Sequence, residues 1–216
     1  MNPIWLKYII LIGIKSDYHL TFVDYTKLLT MGKFSDSISP AHQEFIKQQH
    51  IFFVASAPLS AEGHINLSPK GMDAFRVLGN NRIGYMDVIS SGNETSAHTL
   101  ENGRITIMFC SFDKTPNILR LYGKGFAVLP NSADWDLYAP HFTIYPSTRQ
   151  IIVADIHLVQ TSCGFGIPMF DFISERDIHF KWAEQKGAKG LQEYIKTNNL
   201  KSLDGLPSDL GLKESL

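Results

Sequence analysis

The stretch ISSGNETSAHTLENGRITIMF (Ile89–Phe109) decides the fold. It reads as the end of one strand, a small polar knot, a helix of about two turns over 94–102, and a second strand. Asn93 stands where an N-cap belongs, and Glu94 in the first turn suits the positive end of the helix dipole. Gly103 is placed to stop the helix in a left-handed conformation. Capping accounts for Asn93 and Glu94 but leaves Ser90, Ser91, Gly92 and Thr95 as a surplus of small polar residues at the helix entrance. Free N–H groups at the positive end of a dipole bind phosphate without further help. The stretch by itself leaves plain capping and anion binding open.

Working outward, the flanking segments are strands. IFFVASAPL (Ile51–Leu59) is β-branched and aromatic, and HINLSPKG (His64–Gly71) follows a turn at Ala61-Glu62-Gly63. AFRVLGNNRIGYMDVI reads as strand, Gly-Asn-Asn turn, strand; RITIMFCSF and ILRLYGKGFAVL are two more, and RQIIVADIHLVQTSCGFG is the last. Ser39 and Pro40 open a helix running to about His50 that buries Phe45 and Ile46. A short helix capped by Asn131 or Ser132 precedes the last strand. After it, a helix closed by Gly187 and another around Leu191–Asn198 lead to a loosely held tail from Ser202. About six antiparallel strands with short helices at the joints argue a mainly β fold, a β-barrel with peripheral helices, rather than alternating βαβ units.

In HINLSPKG, Ile65 and Leu67 alternate with His64, Asn66 and Ser68, so one face is apolar and the other polar. With the apolar face in the core, the polar face lines a groove that ends at Lys70. A flavin would suit such a groove, its phosphate on the helix entrance and the lysine, its ring edge hydrogen-bonded by Asn66 and Ser68 or by backbone.

Composition narrows the function classes. A net charge of −1 and a pI near 6.7 leave no basic field for nucleic acid or an anionic membrane. Cys110 and Cys163 form no CxxC pair, which points to a reducing compartment. No metal-ligand spacing appears among the histidines, and GxSxG is absent. The apolar run Tyr8–Ile14 is too short to span a bilayer. Residues 1–30 read as an extension ahead of a core that begins near Met31. Arg104 and Arg120 read as a solvated strand end and an outward-pointing side chain, and TSCGFGIP as a tight turn or an approach to a flavin face.

HINLSPKG, GYMDVISSGNETSAHTLENGRITIMF and LRLYGKG, in this order, resemble the split-barrel flavin-binding proteins related to pyridoxamine 5′-phosphate oxidase. SGNET-x-AH and the Ser162–Pro168 stretch SCGFGIP resemble the marks of one subgroup of them, and the resemblance covers about 31–170. It implies a six-stranded antiparallel split β-barrel of Greek-key, FMN-binding type, and a homodimer holding FMN at the subunit interface. Lys70 matches a flavin-holding lysine of that family, and His64 or Asn66 stands where an arginine would be. Asn93-Glu94-Thr95 replaces a Ser-Arg-Lys phosphate cluster, and the chain ends GLKESL without the family's substrate-gripping arginine motif. The missing arginine motif argues against pyridoxamine phosphate as substrate.

The resulting expectation is an FMN-dependent oxidoreductase, cytoplasmic and homodimeric, acting on a small molecule. Its cofactor-binding residues are His64, Asn66, Ser68, Lys70, Ser91, Gly92, Asn93 and Thr95. No catalytic side chain and no metal are assigned. The domain would span 31–170, with a helical appendage and tail over 171–216. The alternative is a protein that holds flavin, haem or deazaflavin without turnover.

Overall fold

The computed structural model describes residues 32–213, so the expectation for residues 1–30 lies outside the described residues. Eight strands form one antiparallel sheet: β1 (Lys33–Ser35), β2 (Phe52–Ser56), β3 (Asn66–Lys70), β4 (Phe75–Val77), β5 (Arg82–Val88), β6 (Arg104–Cys110), β7 (Ile118–Val128) and β8 (Thr148–Ser162). The order is β3-β2-β6-β7-β8-β5-β4, with β1 on β8. Two of the eight, β1 and β4, are three-residue strands. The sequence segments read as strands match β4 and the remaining six, and only β1 was not expected.

The sheet curls far enough for its two ends to meet. Four strands separate β3 from β5 in the sheet, yet Lys70 Nζ lies 2.8 Å from Asp87 Oδ1. Phe52 of β2 packs edge-on to Phe75 of β4 at 5.2 Å, and Phe75 to Phe109 of β6 at 4.9 Å. One apolar core therefore fills the curl, drawing Val54, Ile83, Tyr85, Ile107, Leu121 and Ile152 from five strands. The sheet is a mainly β half-barrel of split-barrel type, with the helices on its outside.

Five helices flank it: α1 (Pro40–Lys47), α2 (Glu94–Asn102), α3 (Trp135–Tyr138), α4 (Ile178–Asn198) and α5 (Asp209–Lys213). Ser39 Oγ caps α1 by accepting the His42 N–H, and His42 Nδ1 returns the bond to the Ser39 N–H. This helix ends three residues earlier than expected, and only Ile46 of its two apolar residues is fully buried. α3 begins after Asp134 instead of at Asn131 or Ser132, although Ser132 still receives the Trp135 N–H on its carbonyl. Gly103 stops α2 at φ 75°. Gly187 breaks α4 into two helices at φ 62°, as expected.

Two expectations fail here. Ile65 and Leu67 are not in the core: they are 78% and 65% exposed, because β3 is an edge strand whose polar face turns inward toward α2. The tail is not loose either. Asn199, Ser202 and Ser208 are buried, and Ser96 Oγ donates to Asp209 Oδ2 at 2.9 Å. Polar residues of this segment meet buried partners. Among the described residues no helix is long and apolar enough to cross a membrane.

Candidate active site

The inward face of β3, the loop between β5 and α2 and the start of α2 enclose a cleft of about 440 Å³. That volume lies within the range of small-molecule sites. His64, Asn66, Ser68, Lys70, Ser91, Gly92 and Thr95 all line it, together with Ile65, Leu67, Glu94, Arg149 and Leu203. The fold thus brings seven of the eight sequence-assigned residues together. They come from two segments that approach because the β5-to-β6 connection runs through α2 from one flank of the sheet to the other.

Asn93 is the exception. It is 1% exposed and makes no side-chain cap for α2. Its Nδ2 donates to Asn199 O at 3.1 Å, and its Oδ1 accepts from Gln150 Nε2 at 2.7 Å. The side chain turns away from the helix and down into the protein because the C-terminal segment offers it a buried carbonyl. It ties the appendage to the barrel beneath the cleft and does not line the cleft.

The polar wall is a chain of hydrogen bonds. Ser68 Oγ donates to Asn66 Oδ1 at 2.9 Å, and Asn66 Nδ2 donates to Thr95 Oγ1 at 3.2 Å and Ser56 Oγ at 3.4 Å. Ser56 Oγ lies 3.0 Å from Nδ1 of the buried His98. Burial pushes the His98 pKa down, against the charges of Glu94, Asp204 and Glu101. A neutral ring leaves one nitrogen as acceptor. Ser56 thus links Asn66 to the His98 ring, whose Nε2 is buried without a hydrogen-bond partner among the described residues.

The floor carries the charges. Asp87 receives Lys70 Nζ on Oδ1 at 2.8 Å, and Arg149 Nε and Gln150 Nε2 on Oδ2, both at 2.8 Å. Burial alone would raise the Asp87 carboxyl; the charges and hydrogen bonds of Arg149 and Lys70 outweigh it and hold the group well below the usual carboxylate range. Arg149 also donates to Gly92 O at 2.7 Å and to Ser90 Oγ at 3.3 Å, locking the polar knot ahead of α2. Tyr85 stands buried under Lys70, whose Nζ is 5.8 Å from the ring centre.

Asp87 and Arg149 were missed in the sequence. Asp87 left a signal, a lone carboxylate inside the apolar strand RIGYMDV, which demands a buried partner. Arg149 left none. It is the extra residue of a bulge, since β5 and β8 pair Asp87 with Gln150 but Val88 with Thr148. Bulges re-aim side chains, and this one sends a guanidinium inward from the start of a strand.

Other basic residues are committed elsewhere. Arg104 donates to Asn102 Oδ1 and Pro58 O, and Arg120 to Ser162 Oγ. TSCGFGIP does form a turn, closed by the Ile167 N–H on Gly164 O at 2.9 Å. A second, more apolar cleft of about 870 Å³ adjoins the first at Lys70 and is walled by Ile51, Met72, Phe112, Phe170 and Phe172.

Comparison with known proteins places the chain. No protein-family model matches it. The pyridoxamine 5′-phosphate oxidase family protein ustO of Aspergillus flavus is 38% identical over 194 residues, covering 82% of this chain and 78% of that protein. Among solved structures, Group A Streptococcus HupZ matches with TM-score 0.43 and 17% identity, over 56% of this chain and 91% of its own. An FMN-binding protein of Syntrophomonas wolfei subsp. wolfei matches at TM-score 0.40 and 16% identity, over 53% and 78% of the two chains. A FAD-binding protein of Mesorhizobium loti matches at TM-score 0.40 and 9% identity, over 61% and 96%. With more than a third of its residues identical to the fungal protein along most of both chains, this chain belongs to the pyridoxamine 5′-phosphate oxidase family.

Proposed function

We propose that the protein is an FMN-dependent oxidoreductase that binds its flavin in the cleft between β3 and α2. The observation that carries this reading is the convergence of Asn66, Ser68, Lys70, Ser91 and Thr95 on one cleft whose floor is the Lys70–Asp87–Arg149 charge cluster.

The donor set fits a phosphorylated flavin side chain. Lys70 has three N–H bonds and spends one on Asp87; Arg149 has five and spends three. Both cations keep donors, and the first-turn N–H groups of α2 add the positive end of a dipole. Asn66, Ser68 and Thr95 would meet the polar edge of the ring, with His64 at the rim. When bound, the flavin supplies the two-electron chemistry, and the protein supplies orientation and shielding. No side chain in the cleft is assigned as an acid or base.

The larger cleft beyond Lys70 is where we place an organic substrate with apolar bulk, against its aromatic wall. We also propose that the protein works as a homodimer, its second copy covering the exposed Leu67 of edge strand β3 and Ile65 just ahead of it. The unpaired thiols of Cys110 and Cys163 support a cytoplasmic setting.

One observation favours a second reading, a flavin holder without turnover: both cations of the floor are already partnered by Asp87, which weakens phosphate capture. The test is a visible absorption spectrum of the purified protein before and after FMN loading and desalting, followed by addition of NADH or NADPH. Retained flavin bands that bleach with a donor support the enzyme. Retained bands that never bleach favour the holder, and a colourless protein rejects both.

A further inference from the structure

We propose that Glu94 sets how much negative charge the cleft accepts, and so determines its preference among flavins that differ in phosphorylation. The ligand class rests on the flavin reading above; the electrostatic role of Glu94 does not.

Glu94 is the first residue of α2, and its carboxylate lines the cleft beside Ser91, Gly92 and Thr95. It lies close against the polar knot: a Cβ built on Gly92 would sit 2.9 Å from Glu94 Oε1. A carboxylate in a first turn is ordinarily free to swing into water, but this one is held. Its two oxygens accept the Leu203 N–H at 3.1 and 3.0 Å. Leu203 belongs to a C-terminal turn closed by Ser202 N–H on Leu206 O at 2.8 Å and Gly205 N–H on Ser202 O at 3.0 Å. The same turn is tethered to the opposite wall, where Asp204 Oδ2 accepts the His64 N–H at 2.8 Å and Oδ1 lies 2.6 Å from His64 Nδ1. The turn therefore bridges the cleft from β3 to α2 and fixes a negative charge at its mouth.

Four of the charges at the cleft cancel. Lys70 and Arg149 bring two positive charges; Asp87 offsets one and Glu94 the other. The His64–Asp204 pair adds no net positive charge. A phosphate monoester, at about −1.5 to −2 near neutral pH, meets a site that removal of Glu94 would make one unit more positive. At separations near 6 Å and a dielectric between that of water and of a protein surface, one such charge changes affinity by about tenfold. An uncharged ligand of the same shape is indifferent to it.

The experiment compares FMN with riboflavin, which share the ring and differ by the phosphate. Dissociation constants are measured by titration for wild type, Glu94→Gln, which keeps an acceptor for the Leu203 N–H, and Glu94→Asp, which keeps the charge. The expected result is FMN binding about tenfold tighter in E94Q, riboflavin binding unchanged, and a wild-type ratio in E94D. FMN affinity unchanged or weaker in E94Q, or an equal gain in E94D, overturns the proposal. If neither flavin binds any of the three, the flavin reading fails and inorganic phosphate becomes the probe. Phosphate should then raise the unfolding midpoint of E94Q more than that of wild type, and equal shifts overturn the role of Glu94.

Discussion

Arg149 donates its Nε–H to Asp87 Oδ2 at 2.8 Å with both side chains 3% exposed. Lys70 and Gln150 complete the carboxylate, so the pair is a fully partnered buried charge at the point where the two ends of the sheet meet. Such a pair adds little over an apolar replacement of both members, but breaking it strands a charge. Asp87→Asn is expected to cost roughly 3–5 kcal/mol, read from urea or guanidinium unfolding at neutral pH. A loss below about 1 kcal/mol would show that water reaches the cluster and screens it.

The same groups predict how stability depends on pH. Burial lowers the pKa of His98 and of His179, so the folded state resists a proton that the unfolded chain takes up near 6.5. Stability is therefore complete above that value and falls as pH drops through it. Asp87, depressed in the fold, contributes stability that is present above its ordinary 3.8 and is lost as pH falls further. Asp209 opposes this, since burial raises its carboxyl and protonation then favours the fold. Unfolding midpoints measured from pH 8 to pH 3 should decline in two stages. A flat profile between pH 8 and pH 5 would contradict the histidine contribution.

The long strands, the α2 boundaries and seven of the cleft residues were legible in the sequence because each rests on local rules: alternation, turn glycines and a helix stop at Gly103. What was not legible depends on partners far along the chain. Asn93 looks like a cap until Asn199, 106 positions later, offers its carbonyl. Arg149 is invisible because a bulge re-aims it, and bulges carry no composition. Ile65 and Leu67 misled for another reason. Alternation says that two faces differ, but not which one turns inward, and here the polar face does.

Lys70→Ala tests the proposed flavin site. It removes one of two cations on the floor and leaves Asp87 with Arg149 and Gln150. FMN affinity should fall by roughly 1–3 kcal/mol, the scale of a charged hydrogen bond. Fluorescence titration measures it, and an unchanged dissociation constant would remove Lys70 from the phosphate site.

The C-terminal segment is expected to be structural for the barrel. Ending the chain after Asn198 removes the Asn199 carbonyl from Asn93 Nδ2 and the Asp209 carboxylate from Ser96 Oγ. Each buried polar group left without a partner costs roughly 1–3 kcal/mol. Denaturant unfolding of the truncated chain should show at least one such loss. Wild-type stability would mean that water replaces both contacts without penalty.

The exposed face of β3 carries the last prediction. Leu67 on edge strand β3 and Ile65 just ahead of it are 65% and 78% exposed, with Leu59 also exposed in the connection after β2. An edge strand with an apolar outer face invites pairing unless something covers it. If a second copy does so, Ile65→Asp with Leu67→Asp places two charges in that contact. Neither side chain packs into the core, so the fold should survive while the dimer does not. Light scattering after size exclusion should show a dimer for wild type and a monomer for the double variant at the same concentration. The readout also bears on the cleft, because Ile65 and Leu67 line its rim. If the partner shields that rim, the monomer should hold FMN more weakly than the dimer. Equal retention would show that one chain builds the flavin site by itself, and a monomeric wild type would leave the apolar edge in need of a different partner.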